Sequence, residues 1–296
     1  MLLLAGSCLA KNTNSSPTFV ISRGDSIFQI ASHLKAEGLI RSKIRFLWPL
    51  FWSGDYKRIK AGKYLMEPDS SVSKITKLLI AGQTAPSTIT IIPGTTINGI
   101  VRVLSRAGFK QTEDFLKLAL PDFSASGTAK LGLEGYLYPD TYQITSDQKP
   151  EQIIKMLVDN FNRHFPEDLF QKQTGKVRSR QDVVIMASLL EKEVETFADK
   201  KIAAGILWKR LDNDLPLQLD STLSYFLTPP KNFSYNTYKY SGLPFGPIGN
   251  PTAESLRAAL EPTPTDYWYF LSAKDRKIIY SRTLGEHLIN KAKYLE

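Results

Sequence analysis

Apolar and polar positions in the front third of the chain follow a pattern that occurs twice. Between Thr18 and Leu39, Ile21, Gly24, Ile27, Ile30, Leu34 and Gly38 recur seventy positions later as Ile91, Gly94, Ile97, Ile100, Leu104 and Gly108. In each copy a short β-branched run meets a glycine turn, a Ser or Thr follows, and apolar residues then come at helical spacing up to a closing glycine. Each copy predicts a strand, a turn and a capped helix. Between the copies the pattern predicts a strand at Lys63–Met66, a turn at Pro68–Asp69 and a helix near Val72–Ile80.

Farther along, Ile153, Ile154, Leu157, Val158 and Phe161 form one stripe of a helix expected over Pro150–Phe165. The segment SRQDVVIMASLLEKEVET predicts a second helix, with Ser179 as N-cap and Asp182 in the reciprocal position. Val184, Ala187, Glu191 and Val194 fall at i, i+3, i+7 and i+10, so Glu191 lies on the apolar stripe. Glu193 is turned about 200° away from it. A helix follows through AGILWKRLDND, then an extended stretch presenting Gln218, Asp220, Thr222 and Tyr225. The Gly/Pro-dense run YNTYKYSGLPFGPIGNP reads as a shaped loop leading to a helix capped by Thr252 or Asn250. The end reads as a hairpin turned at Lys274–Asp275, then a terminal helix.

An acid on an apolar stripe loses solvation, and its pKa rises until it can carry a proton at neutral pH. On that basis Glu191 is a candidate general acid. The competing reading is a glutamate at the stripe edge that reaches water or pairs with Lys192 or Lys201. In Leu133–Ile144, Glu134 and a set of tyrosines that includes Tyr136 crowd around Gly135 and Pro139, either as a sugar platform or as core-facing packing.

The chain is long enough for two or three domains, and its 42% hydrophobic and 23% charged residues exclude a disordered body. A net charge of +9 points to anionic neighbours such as phospholipid, nucleic acid or an acidic wall polymer. Nucleic acid is not expected as a partner. The single cysteine, Cys8, excludes an intramolecular disulfide, and His33, His164 and His287 lack metal-ligand spacing. No metal and no cofactor are expected. Residues 1–10 are uncharged and mostly apolar; as a helix they would reach about 15 Å against a bilayer core of about 30 Å. They read as an anchor remnant, with lipidation at Cys8 the lesser alternative. The expected organisation is residues 1–17 as anchor and linker, 18–86 as a small module, and 87–296 as the main domain.

The segment TFVISRGDSIFQIASHL resembles the glycan-binding LysM module. EGYLYPDTY, ASLLEKEVE, LQLDST, YNTYKYSGLPFGPI with the following NP, SLRAALEP and YSRTLGEH together resemble the endolytic murein transglycosylase family, in the family's order, from about Thr18 to Glu296. Ser221, Phe245 and Thr252 stand where that family has proline, proline and glycine. The resemblance implies an α+β protein with a LysM-like module before a catalytic domain, anchored in the inner membrane by its N-terminus and facing the periplasm. It implies peptidoglycan glycan strands as substrate and cell-wall synthesis proteins as partners. It further implies Glu191 as acid and then base, with Gln218, Asp220, Asn236, Glu134 and Tyr136 binding substrate. The muramyl C6 hydroxyl is then the nucleophile and a 1,6-anhydro end the product. Two alternatives stand beside it: a non-catalytic wall- or membrane-binding scaffold, and a hydrolase using Asp220 or Glu134 as base for water.

Overall fold

The computed structural model describes residues 18–22, 24–67, 70–82, 85–120, 132–171, 176–226 and 235–295. The apolar run at 1–10 with Cys8 and the turn expected at Pro68–Asp69 lie outside them. The fold is α+β, with short strands paired two by two and helices forming most of the body. The described residues divide into two compact units, one from Thr18 to Ser87 with 145–147 and one built from 88–144 and 148–295.

In the first unit, β1 (Thr18–Ile21) is followed by α1 (Ile27–Ala36), α2 (Lys43–Ser53), β2 (Gly62–Leu65) and α3 (Val72–Ala81). Strand β1 turns Phe19 and Ile21 inward and runs antiparallel to β2, with Phe19 opposite Tyr64. Ser26 and Gln29 close a capping box at the start of α1. Phe19, Leu34, Phe46, Leu50, Tyr64 and Leu79 fill the core, and the Tyr64 hydroxyl donates to the Lys60 carbonyl. Helix α2 was not expected: its sequence, KIRFLWPLFWS, is apolar nearly throughout and carries no clean stripe.

The second unit opens with β3 (Ser87–Thr90) and α4 (Ile97–Arg106), the second copy of the repeat. The closing glycines of the two copies serve the same end, since Gly38 and Gly108 both follow their helix at positive φ, where a side chain would be strained. Helix α5 (Thr112–Ala119), β4 (Thr141–Ile144) and α6 (Pro150–His164) complete a first core around Ile100, Leu104, Phe115, Ile153 and Leu157, with β4 paired to β3. A second core is built by α7 (Asp168–Gln171), α8 (Arg180–Glu193), α9 (Phe197–Asp212), α10 (Asp220–Phe226) and α11 (Ala253–Leu260). The hairpin β5 (Tyr269–Ser272) and β6 (Ile278–Ser281) and helix α12 (Leu284–Leu295) close the chain.

Two expectations need correction. The stretch from Asp220 to Tyr225 is helix α10 rather than extended chain, with Thr222 fully buried. Helix α8 carries no single apolar stripe: Val183 to Leu190 are all buried, because α9 and α11 both pack on it. A helix enclosed on every side has no polar face to read. Among the described residues, no helix is long and apolar enough to cross a membrane.

Candidate active site

Three buried or half-buried glutamates, Glu134, Glu191 and Glu193, are contributed by the second unit, and their surroundings differ sharply. Ser179 and Asp182 cap α8 reciprocally, and the helix carries Glu191 and Glu193 to its last turn. Glu191 is 7% exposed. Its Oε2 accepts from the Thr252 N–H at 2.7 Å, the Thr252 hydroxyl at 2.7 Å and the Ser255 hydroxyl at 2.8 Å. Its Oε1 accepts from the Lys200 Nζ at 3.1 Å, and Lys200 is itself only 4% exposed. Burial is the largest single influence on this carboxyl and pushes its pKa up. The Thr252 N–H and hydroxyl, the Lys200 charge and the Ser255 hydroxyl together outweigh it and hold the group below the ordinary value. The shelter expected at Glu191 is present, while its neighbours favour the anion over the protonated form. The side chain is sheltered, but every neighbour within reach donates to it, and it sits as an anion at the N-terminus of α11. Its partner is Lys200, not the Lys192 or Lys201 weighed from sequence.

Glu134, 7% exposed, is equally enclosed. The Ile97 N–H at the start of α4 lies 3.1 Å from both of its oxygens, Asn250 Nδ2 donates to Oε1 at 3.1 Å, and the Tyr225 hydroxyl donates to Oε2 at 3.2 Å. Burial nonetheless dominates these contacts and pushes its pKa up to about 7. Asn250, fully buried, also accepts from Leu137 N–H and donates to the Thr95 carbonyl, so that three distant segments meet at one amide. Tyr136 packs its ring edge-on to Phe161 at 5.1 Å. Glu134 and Tyr136, both expected to bind substrate, do not line the cleft described next.

That cleft, about 450 Å³, lies between the C-terminal end of α8, the chain around Gln218, the β5–β6 hairpin and α12. Glu193, Gln218 and Asp220 all line it, as do Tyr238 and Trp268. Gln218 adopts a left-handed backbone, φ 57°, unusual for a residue with a side chain. Two contacts hold it there: its N–H donates to the Thr237 carbonyl at 3.1 Å, and its Oε1 accepts from Arg210 at 2.8 Å. The Arg210 guanidinium, nearly buried, also donates to the carbonyls of Pro216 and Trp268 and so ties this loop to the hairpin. Asp220 Oδ1 accepts from the Tyr238 hydroxyl at 2.6 Å, and burial together with that bond pushes the phenol up to about 12. Asn236 does not line the cleft. Its Oδ1 accepts from the N–H groups of Tyr238 and Lys239, an Asx turn that aims Tyr238 at Asp220.

Glu193 is the acid that the sequence reading pointed away from the site. Its Oε1 accepts from the Ser221 N–H at 3.4 Å, a long bond, and among the described residues no cation pairs with it. Burial pushes its pKa above the ordinary value, contacts with Ser221 pull it back in part, and the Asp220 charge pushes it up again. Of the three glutamates it alone combines a raised pKa with a place on the cleft wall. Sequence offered one usable signal for it: two acids separated by two positions face opposite sides of a helix, so a helix that turns one into a bonding network turns the other elsewhere. Arg210, Tyr238 and Lys200 carried no local signal at all.

Comparisons with known proteins agree with this architecture. A family model described as the YceG-like family matches residues 19–293. A protein of Bacillus subtilis named endolytic murein transglycosylase is 30% identical over 96% of this chain and 86% of its own length. A Streptococcus pneumoniae protein of the same name is 25% identical over 96% of this chain, which spans 59% of that relative. A crystal structure of a yceG-like protein from Listeria monocytogenes, 32% identical, superposes with a TM-score of 0.58 over 93% of this chain and 99% of that one. With nearly every residue inside the matched region, this chain belongs to the YceG-like family.

Proposed function

We propose that this chain is an endolytic murein transglycosylase in which Glu193, rather than Glu191, is the proton donor. The observation that carries the assignment is the contrast between the two acids of α8. Glu191 is surrounded by donors that stabilise its anion, whereas Glu193 is desolvated, has no cation partner among the described residues and is open to the cleft. A general acid must hold its proton until the leaving oxygen takes it, and only the second environment favours that. Glu193 protonates the glycosidic oxygen as the bond to the muramyl C1 breaks. The muramyl C6 hydroxyl then attacks C1, and the Glu193 carboxylate accepts its proton, so the carboxyl is regenerated and no water is consumed. The nucleophile belongs to the substrate, and one carboxyl therefore serves both steps. Gln218 and Asp220, with Tyr238, orient the sugar along the cleft, and Asn236 acts on it through Tyr238. Glu134, Tyr136 and Glu191 hold the frame.

The names of the relatives support peptidoglycan as substrate and an extracytoplasmic catalytic unit. The LysM-like reading of the first unit, the anchor at residues 1–17 and cell-wall synthesis proteins as partners belong to the same proposal.

Purified sacculi incubated with the parent chain, Glu193→Gln and Glu191→Gln test the assignment. Anhydro-muropeptide release should fall by at least a hundredfold in Glu193→Gln while its unfolding midpoint stays put or rises. Full activity in Glu193→Gln, with none in a folded Glu191→Gln, would return the acid role to Glu191. Reducing ends in place of anhydro ends would favour the hydrolase with Asp220 as base, and glycan binding without any turnover would favour the scaffold.

A further inference from the structure

The first unit exposes a surface that the catalytic reading leaves unused. On α2, Phe46 and Leu50 face the core, and Ile44, Trp48, Phe51 and Trp52 line the opposite side at i, i+4, i+7 and i+8. Ile44 is 73% exposed, Trp48 67% and Trp52 84%. Phe28 of α1, also exposed, extends the stripe, its ring 5.7 Å from that of Phe51. A soluble surface rarely concentrates two tryptophans, two phenylalanines and an isoleucine without covering them.

The charges around the stripe are one-sided. From Arg41 to Lys60 the sequence has the cations Arg41, Lys43, Arg45, Lys57, Arg58 and Lys60 against one acid, Asp55, which is paired with Arg58 at 2.9 Å. An apolar stripe with tryptophans at its edge and lysines and arginines around it matches a bilayer interface, where indoles sit at headgroup level and cations meet anionic lipid. A sugar chain fits it less well: Ile44, Phe28 and Phe51 carry no hydrogen-bonding group, and Ile44 offers no ring to stack on a pyranose.

We infer that α2 is a membrane-docking helix, which lays Ile44, Trp48, Phe51 and Trp52 into the interface of an anionic phospholipid bilayer and holds the first unit against it. This contact is separate from any anchoring by residues 1–17 and from the identity of the catalytic acid.

The test uses the full chain with vesicles of phosphatidylcholine, with and without phosphatidylglycerol, whose acyl chains carry bromine as a quencher. Tryptophan fluorescence of the parent should be quenched by the anionic vesicles, and Trp48→Ala/Trp52→Ala should lose that quenching while keeping the circular dichroism of the parent. Trp208, buried, and Trp268, half-buried, both belong to the other unit and leave a background that both proteins share. Arg45→Ala and Lys57→Ala should each weaken vesicle binding roughly fivefold at low salt. Equal quenching in the parent and the double variant would mean that only other segments reach the bilayer, and would overturn the inference. So would protection of Trp48 and Trp52 from acrylamide by soluble glycan strands but not by vesicles, which would make the stripe a sugar site.

Discussion

Replacing Glu191 by Gln separates anchoring from chemistry, because the substitution keeps the shape of the side chain and removes its charge. A glutamine oxygen can still accept from Thr252 and Ser255, but its amide then turns N–H groups toward the Lys200 ammonium, which stands 3.1 Å from Oε1 in the parent. Lys200 is left charged, nearly without water and facing a donor. Removing one partner of a buried ion pair costs about 3–5 kcal/mol, since the desolvation of the other is no longer offset. Loss of the charge on the remaining bonds lies within that figure. For a unit of this size, such a loss lowers the thermal midpoint on the order of 10 °C. Urea unfolding of the parent, Glu191→Gln, Lys200→Met and the double variant reads the coupling directly, and the double variant should recover part of the loss because the stranded cation is gone. Two results would refute the reasoning. The first is a Glu191→Gln protein as stable as the parent; the second is a double variant no more stable than the sum of the singles.

Glu134 makes stability depend on pH in a particular direction. Its pKa is raised from 4.5 to about 7, so between those values the folded chain keeps a proton that the unfolded chain has released. Stability contributed by this group is present below about pH 4.5 and declines by about 3 kcal/mol as pH rises through 7. Glu134→Gln should flatten the slope of the urea midpoint across that window. Gly205, inside α9, is a place where alanine should harm rather than help: a Cβ there would stand 2.1 Å from the Thr263 carbonyl oxygen, which is backbone and has no easy retreat. Gly205→Ala should cost about 2–3 kcal/mol despite the better helix propensity of alanine, and a neutral or stabilised variant in the same urea assay would contradict the packing described.

Local structure was legible wherever a segment meets its surroundings with one face. The repeated strand, turn and helix units, the capping box at Ser179, the Thr252 cap, α6 and the hairpin near Asp275 all follow from spacing and turn chemistry within a few residues. The reading failed where two neighbours enclose one element. Periodicity within α8 placed Glu191 on an apolar stripe and Glu193 off it, but α9, α10 and α11 all pack on that helix, so direction alone did not separate core from solvent. The decisive partners of Glu191 come from a lysine on the next helix and two hydroxyl residues more than sixty positions later. Of the residues that the motif resemblance marks for substrate, Gln218 and Asp220 line the cleft, while Glu134 and Tyr136, equally conspicuous in sequence, do not. What distinguishes the two pairs is which segments they touch, a property of tertiary contacts that no short motif carries.

The meeting of segments at Asn250 has a kinetic consequence. Its side chain and backbone close onto Thr95 and Leu137 across 155 and 113 positions, and onto the Glu134 carboxyl between them. Contacts of such span lose the most loop entropy on closing and reward it latest. Thr252 lies two residues beyond, so the Thr252 and Ser255 donors reach Glu191 only with this long-range closure, whereas Lys200 is nine positions away. Amide exchange at Gly249, Asn250 and Thr252 should therefore report the last assembly step of the unit, and loosening of that junction would free the Glu191 carboxylate from Thr252 and Ser255 before any helix melts.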